Sequence, residues 1–204
     1  MKTSELFEKE INYIKSEKLR KVVAEVLDIA PVCIQHIPAS STGKYHPTYS
    51  LGEGGLVRHV KAAVGIAHSI MDTDIFKEMV LGIYRDDRDI NPTYRKDCVY
   101  AALILHDCFK PDDDENHRTR FDHPLIAAEN FKRVAEAHHL GKWQTTLIEE
   151  AIASHMGQWN TSSYAKGYLL PTPQTRLESF VHMCDYLASR KFLQFDFDEY
   201  EKCY

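Results

Sequence analysis

Apolar residues recur three or four positions apart through most of the chain, a spacing that predicts helices. The first 30 residues show it over the set Leu6, Phe7, Ile11, Ile14, Leu19, Val22, Val23, Val26 and Leu27. A start cap at Thr3 or Ser4 and a stop at Ala30-Pro31 bound this run, and Ser16 can divide it into two helices.

The same spacing and its breakers predict further helices over about 56–71, from 72–74 to about 84, 94–109, 123–139, 143–155 and 172–192. His123-Pro124 and Thr172-Pro173 each place a cap before a proline at the first helical position. The tail FLQFDFDEY either adds a short strand or packs on the helices. We find no internal repeat, no low-complexity tract and no convincing sheet.

These elements predict an all-α fold with one domain over residues 1–204. Within it we expect an N-terminal helical extension and loop at 1–50, a core at 52–192 and a tail at 193–204. A chain of 204 residues is long enough to bury one sizeable core.

Composition and charge narrow the function classes. Hydrophobic residues make up 44% and charged residues 27%, as in ordinary globular proteins. The 25 Lys and Arg against 30 Asp and Glu leave a formal charge of -5, which argues against strong non-specific binding to a nucleic-acid backbone. A local basic pocket for a small phosphorylated substrate is compatible with that balance.

The five cysteines form no CxxC pair, and the first 18 residues are charged throughout, unlike a secretory signal. We therefore expect reduced thiols and a cytoplasmic location. No stretch approaches the ~18 apolar residues that span a membrane, so we expect no membrane partner.

Candidate chemistry lies where His and Asp residues interrupt or end apolar helices. One apolar helix runs directly into a His-Asp pair, and four other predicted helices each contribute one such residue. The set is His59, His106, Asp107, His123, His155 and Asp185. Burying such groups costs several kcal/mol unless they are paired or bind a metal. Mixed imidazole and carboxylate ligands suit Mn, Fe, Co, Ni or Zn.

The order His…His-Asp…His…His…Asp, with GGL ahead of the first His, resembles the HD-domain superfamily of metal-dependent phosphohydrolases over about residues 52–192. The resemblance implies a helical bundle around a site for one or two divalent metal ions. It assigns the first metal to His59, His106, Asp107 and Asp185. Asp107 would also bridge to a second metal, held by His123 and His155.

The resemblance further implies that a bridging water becomes the nucleophile and that Asp107 and Lys110 are catalytic. Lys110 matches the lysine of the family's HDxGK pattern, although Phe109 replaces its glycine. Met156 follows His155 where HD-GYP subfamilies have a second His, and the HDxxE and HDxxED patterns are missing. Assignment to cyclic dinucleotides or alarmones therefore has no support.

Substrate contacts are predicted from residues beside these motifs. Arginines can bind phosphates bidentately, and aromatic rings can stack on a nucleobase. The candidates are Arg58, Arg118, Arg120, Trp159 and Tyr164. The alternatives are that the arginines pair with Asp112–Asp114 and that the aromatic rings cover one end of the bundle. His182 lies one turn before Asp185. It either supports the metal ligands or has a structural role, which is the favoured alternative, and His46 has no assigned partner.

The leading hypothesis is a phosphohydrolase that uses metal-activated water on a phosphomonoester or phosphodiester, with a nucleotide or short oligonucleotide as substrate. A second class, the inositol-oxygenase type of HD protein, is similar in ligand order but holds a di-iron centre. A third is a non-catalytic binding module that a metal stabilises. Formation of a homo-oligomer stays open.

Overall fold

The computed structural model describes residues 1–74, 92–111, 119–163, 165 and 167–198, and the regular elements within these ranges are helices. The expected all-α fold is confirmed. Eight α-helices lie in the described part of the chain: α1 (Thr3–Leu6), α2 (Glu8–Ile11), α3 (Glu17–Ile29), α4 (Gly55–Ile70), α5 (Pro92–Leu105), α6 (His123–Ala137), α7 (Lys142–Ser154) and α8 (Arg176–Ala188). Short 3₁₀ turns cover Val32–Gln35, Thr48–Ser50 and Gly157–Trp159.

Helices α4 and α5 form the centre of the bundle. Helix α4 packs on α5 and α8, α7 packs on α5, α6 and α8, and α3 covers α5 and α6 from the N-terminal side. Side chains such as Leu103, Leu105, Ile148 and Phe180 are fully buried between them. Burial of one such side chain contributes about 1.5–3 kcal/mol, so this shared core holds the helix ends in place.

The N-terminal helices are attached to α5 by a buried carboxylate. Ser16 caps α3 by accepting the backbone N–H of Leu19, which confirms the predicted division at Ser16. Asp97 of α5 accepts the backbone N–H groups of Lys15 and Ser16 at 2.8 and 2.9 Å. The segment between α2 and α3 is therefore fixed on the helix that leads to His106.

Several predicted helix boundaries and caps were wrong. Helix α5 ends at Leu105 instead of continuing to 109, because residues 106–109 form hydrogen-bonded turns. Helix α6 has Asp122 at its N-cap, so His123 is its first helical residue. Helix α8 starts at Arg176, since the Thr175 side chain accepts the N–H of Glu178 and makes a better cap than Thr172.

Other expectations concern the tail and the membrane. Helix α8 ends at Ala188, before the expected 192, and Phe195 and Phe197 of the tail pack against the ring of Tyr49. The predicted helix ending near 84 lies largely outside the described residues. Among the described helices, none combines the length and apolarity that a membrane crossing requires.

Candidate metal centre

Five helical elements bring the six predicted ligand residues together. His59 lies within α4, His106 and Asp107 lie in the turn after α5, and His155 follows the last residue of α7. The other two are the first residue of α6 and a residue near the end of α8, His123 and Asp185. The four imidazoles and Asp107 are at most 2% exposed, and the Asp185 side chain is 19% exposed.

The two carboxylate oxygens of Asp107 face different imidazoles. Oδ1 lies 3.0 Å from Nε2 of His123 and 3.6 Å from Nε2 of His155. Oδ2 lies 3.5 Å from Nε2 of His106 and 3.8 Å from Nε2 of His59. One carboxylate thus stands between two groups of imidazoles.

Asp185 completes one of these groups. Its Oδ1 is 2.9 Å from Nε2 of His59 and 3.5 Å from Nε2 of His106. These three residues can offer ligand atoms that lie within 4.8 Å of one another, and the same holds for His106, Asp107 and His155. The donor atoms are therefore close enough for one or two small cations.

Backbone carbonyls orient three of the rings. Nδ1 of His106 lies 2.7 Å from the carbonyl oxygen of Leu103, and Nδ1 of His155 lies 2.8 Å from that of Ile152. Nδ1 of His123 lies 2.5 Å from the carbonyl oxygen of Arg120. A carbonyl only accepts, so each Nδ1 carries hydrogen, and in the neutral ring the Nε2 lone pair points toward the centre.

This arrangement fits a divalent transition metal. Nε2 of His123, Nε2 of His155 and Oδ1 of Asp107 converge as acceptors, with 3.3 Å between the two nitrogens. Among the described residues, Nε2 of His106 and Oδ1 of Asp107 are buried without a hydrogen-bond partner. Converging buried acceptors are costly unless a cation binds them, and imidazole with carboxylate is a common ligand set for such ions.

Charge interactions keep the carboxylates ionised. Burial alone would raise the pKa of Asp107, but Lys110 and His106 outweigh it and hold that pKa well below its usual value. Burial opposes ionisation of Asp185 too, and His106 and His59 hold its pKa well below normal. Burial lowers the pKa of His123. At His106 the nearby aspartates overcome burial and raise the pKa.

Lys110 contacts the same carboxylate. Its Nζ donates to Oδ2 of Asp107 at 2.6 Å, and its side chain is 15% exposed. Its backbone carbonyl accepts the N–H of Arg120 at 2.8 Å, which joins the Asp107 turn to the segment before α6. Lys110 is thus positioned between Asp107 and the solvent.

The predicted arginines are placed differently. The guanidinium of Arg120 pairs with Asp122 at 3.0 and 3.1 Å, immediately before His123. The guanidinium of Arg58 donates to the backbone carbonyls of Tyr49, Leu51 and Glu53, at 2.5, 3.1 and 2.6 Å. Arg58 therefore holds the loop before α4. Arg118, Tyr164 and Asp112–Asp114 lie outside the described residues.

Two further histidines, His46 and His182, also approach the centre. The His46 ring lies 5.8 Å from that of His59, between centroids. Burial, with His59 and Lys110 nearby, lowers its pKa to about 4. Nδ1 of His182 donates to the carbonyl oxygen of His155 at 2.6 Å. This contact agrees with the alternative in which His182 supports the metal ligands, which its three-residue spacing from Asp185 indicated.

The turn after His155 packs closely against the ring of His182. Gly157 has a φ of +55°, and a Cβ there would lie 2.3 Å from Cε1 of His182. Glycine alone combines this backbone conformation with so close an approach. Trp159, two residues later, stacks on Tyr186 with 5.4 Å between centroids and is 40% exposed.

The HD domain family model matches residues 65–190, well over half of the chain. The match includes five of the six converging residues and begins just after His59. No curated protein sequence matches the chain, and no solved structure does either.

Proposed function

The chain belongs to the HD domain family, and from this premise we propose that it is a metal-dependent phosphohydrolase. The family consists mostly of such enzymes. We propose a phosphomonoester or phosphodiester as substrate, cleaved by metal-activated water, and a nucleotide or short oligonucleotide as the substrate class. The acidic net charge of -5 favours a small molecule over long RNA.

One observation carries this proposal: the two oxygens of Asp107 face two separate groups of imidazoles. In this proposal His59, His106, Asp185 and Asp107 would hold one ion, and His123, His155 and Asp107 would hold a second. The candidates are Mn, Fe, Co, Ni and Zn. Divalent ions supply an activated water and stabilise the negative charge of a phosphoryl group during transfer.

The residues around the ions have distinct tasks in this proposal. The carbonyls of Leu103, Arg120 and Ile152 hold three imidazoles in the tautomer that exposes Nε2. The ammonium group of Lys110 can leave Asp107 for a phosphoryl oxygen and donate a hydrogen bond there. Preorganised donors of this kind act where charge develops in the transition state.

The substrate contacts follow from charge and exposure. Arg120 stands at the approach to His123 and can exchange its pairing with Asp122 for a phosphate. Arg58 is the weaker candidate, because its guanidinium already holds three carbonyls. Arg118 and Tyr164 keep the role in substrate binding proposed from sequence.

The four described cysteines are free thiols, which supports a cytoplasmic location.

The test compares two buried aspartates. Asp107→Asn removes the carboxylate that faces both imidazole groups. Asp97→Asn is the matched control, because Asp97 is also buried, lies in the helix that leads to Asp107, and accepts backbone N–H groups. Metal content is measured by mass spectrometry, and hydrolysis is measured with Mn on bis-p-nitrophenyl phosphate and a nucleotide panel.

We expect wild type and folded Asp97→Asn to bind metal and to cleave phosphoesters, and Asp107→Asn to lose both properties. Full metal content and activity in Asp107→Asn would refute the bridging role. Iron-containing, coloured protein that consumes oxygen and cleaves no ester would favour the di-iron oxygenase. Metal binding that only stabilises the fold would favour the non-catalytic module.

A further inference from the structure

Three aromatic rings and one guanidinium group form a cluster beside the candidate metal centre. We name it the aromatic-arginine cluster; it consists of Tyr45, Trp159, Tyr186 and Arg190. Cζ of Arg190 lies 4.4 Å from the ring centroid of Tyr186. The same atom lies 5.8 Å from the ring centroids of Tyr45 and Trp159. The guanidinium thus connects rings from three separate parts of the chain.

The cluster is open to solvent. Tyr45 is 57% exposed and Trp159 is 40% exposed, whereas most large apolar side chains of this bundle are buried. Lys44 places its Nζ 5.1 Å from the ring centroid of Tyr45 and adds a second positive charge. Exposed aromatic rings grouped with cations are typical of binding surfaces.

Each part of the cluster is connected to a different metal-ligand candidate. Tyr186 directly follows Asp185 in α8. Tyr45 directly precedes His46, whose ring lies 5.8 Å from that of His59. Adjacent Cα atoms are about 3.8 Å apart, so these links are short.

The third link runs through His182. The Trp159 ring lies 6.0 Å from the His182 ring, and His182 donates to the carbonyl of His155. The cluster is therefore attached to the centre at three points.

The guanidinium group is held for stacking. Nε and Nη2 of Arg190 donate to Oγ of Ser189 at 3.0 and 2.7 Å, which fixes the group near the Tyr186 ring. Flat aromatic faces and a guanidinium plane both stack on nucleobases, and such stacking tolerates different bases. A sugar phosphate without a base offers no matching planar face.

We propose that the aromatic-arginine cluster is the subsite for the base of the substrate, with the base stacked on the exposed faces of Trp159 and Tyr45. The inference rests on the proposed function for the position of the phosphate. It places the nucleoside on the side of Asp185 and His59.

Fluorescence tests the subsite without any reaction. The chain has two tryptophans, and Trp143 is exposed at the start of α7. Trp143→Phe therefore leaves Trp159 as the sole reporter. We expect saturable quenching by adenosine and by AMP, and no quenching by ribose 5-phosphate. Tyr45→Ala and Arg190→Ala in this background should weaken AMP binding at least tenfold.

Tyr168→Ala is the control, because Tyr168 is 54% exposed and lies outside the cluster. It should leave AMP binding unchanged. Absence of quenching by AMP, or equal weakening in Tyr168→Ala, would overturn the subsite and would show that the rings merely cover the bundle end.

Kinetics separate this inference from the proposed function. We expect Tyr45→Ala to lower kcat/KM for a nucleotide at least tenfold more than for glycerol phosphate, and Tyr168→Ala to leave both values unchanged. Equal losses for both esters would overturn the subsite. Cleavage of simple esters without quenching would keep the proposed function and overturn the subsite. Quenching without cleavage of any ester would support the subsite and refute the proposed function.

Discussion

His123 and His155 face each other with their Nε2 atoms 3.3 Å apart. Each ring has its Nδ1 hydrogen on a backbone carbonyl, so two lone pairs and Oδ1 of Asp107 converge in a buried space. A cation between them would relieve the mutual repulsion of these three acceptors. The local backbone thus prepares the rings for metal before any metal is bound.

Removal of metal should therefore destabilise the protein. At 100 times its Kd, a ligand that binds only the folded state contributes about 2.7 kcal/mol. In a chain of this size that corresponds to a fall in Tm of about 5–10 °C on chelation. The measurement is thermal unfolding with Mn and with chelator. His155→Ala should show no difference in Tm between Mn and chelator. His138→Ala removes an imidazole that pairs with Glu25 at the surface, and it should keep the difference. Equal differences in both variants would contradict the assignment.

Lys110 should matter for turnover more than for metal binding. Its ammonium group lies 2.6 Å from the oxygen of Asp107 that also faces His59 and His106. Lys110→Ala removes a positive charge that competes with a metal ion for Asp107, so metal affinity should stay unchanged or increase. Loss of one preorganised donor should lower kcat about 10²-fold. Lys132→Ala, which breaks a surface ion pair with Glu149, is the control for both measurements. Unchanged kcat in Lys110→Ala would remove the residue from the site.

Metal affinity should depend on pH through His106. Asp107 and Asp185 raise the pKa of His106 in the metal-free protein, and a metal needs the neutral ring. The raised pKa stabilises the metal-free fold fully below the unfolded value of about 6.5, and this stabilisation disappears as pH rises through the folded pKa. The difference in Tm between metal-loaded and chelated protein should therefore widen from pH 6 to pH 8.

Calorimetry provides the direct measurement for this prediction. Metal binding near pH 6.5 should release a proton, so the apparent binding enthalpy should differ between buffers of different ionisation enthalpy. Identical enthalpies in all buffers at that pH would show that His106 is already neutral.

Substitutions at two glycines distinguish the energetic cost of backbone strain from the cost of a clash with His182. Gly52 and Gly157 have φ values of +66° and +55°, but only a Cβ at Gly157 would meet the ring of His182. Gly52→Ala should cost about 1–2 kcal/mol of unfolding free energy. Gly157→Ala should cost more and should also weaken metal binding, because the displaced ring donates to the carbonyl of His155. Denaturant unfolding and metal titration provide both values.

The double variant Gly157→Ala/His182→Ala should recover part of the stability that Gly157→Ala loses, because the smaller side chain removes the clash. If Gly52→Ala and Gly157→Ala lower the unfolding free energy equally, the close approach of residue 157 to the His182 ring does not affect stability.

The residues of the candidate centre were predictable because each lies within an apolar helix or at one of its ends. Such positions, as at His106 and His155, become buried once the helices pack. The fold class followed from the same periodicity. Sequence could not predict the approach of His46, because it lies in a loop whose path depends on the three carbonyls that Arg58 binds. The start of α8 was missed because Thr172-Pro173 and Thr175 offer competing caps, and the side chain of Glu178 favours the second.

The family match begins at residue 65, within α4 and shortly after His59. A fragment trimmed to that boundary would start in the middle of a buried helix. It would leave Asp185 without the imidazole at 2.9 Å and would expose the faces of α5 and α6 that α3 covers. Such a fragment should aggregate on expression, so the smallest useful recombinant unit of this protein has to include the N-terminal helices.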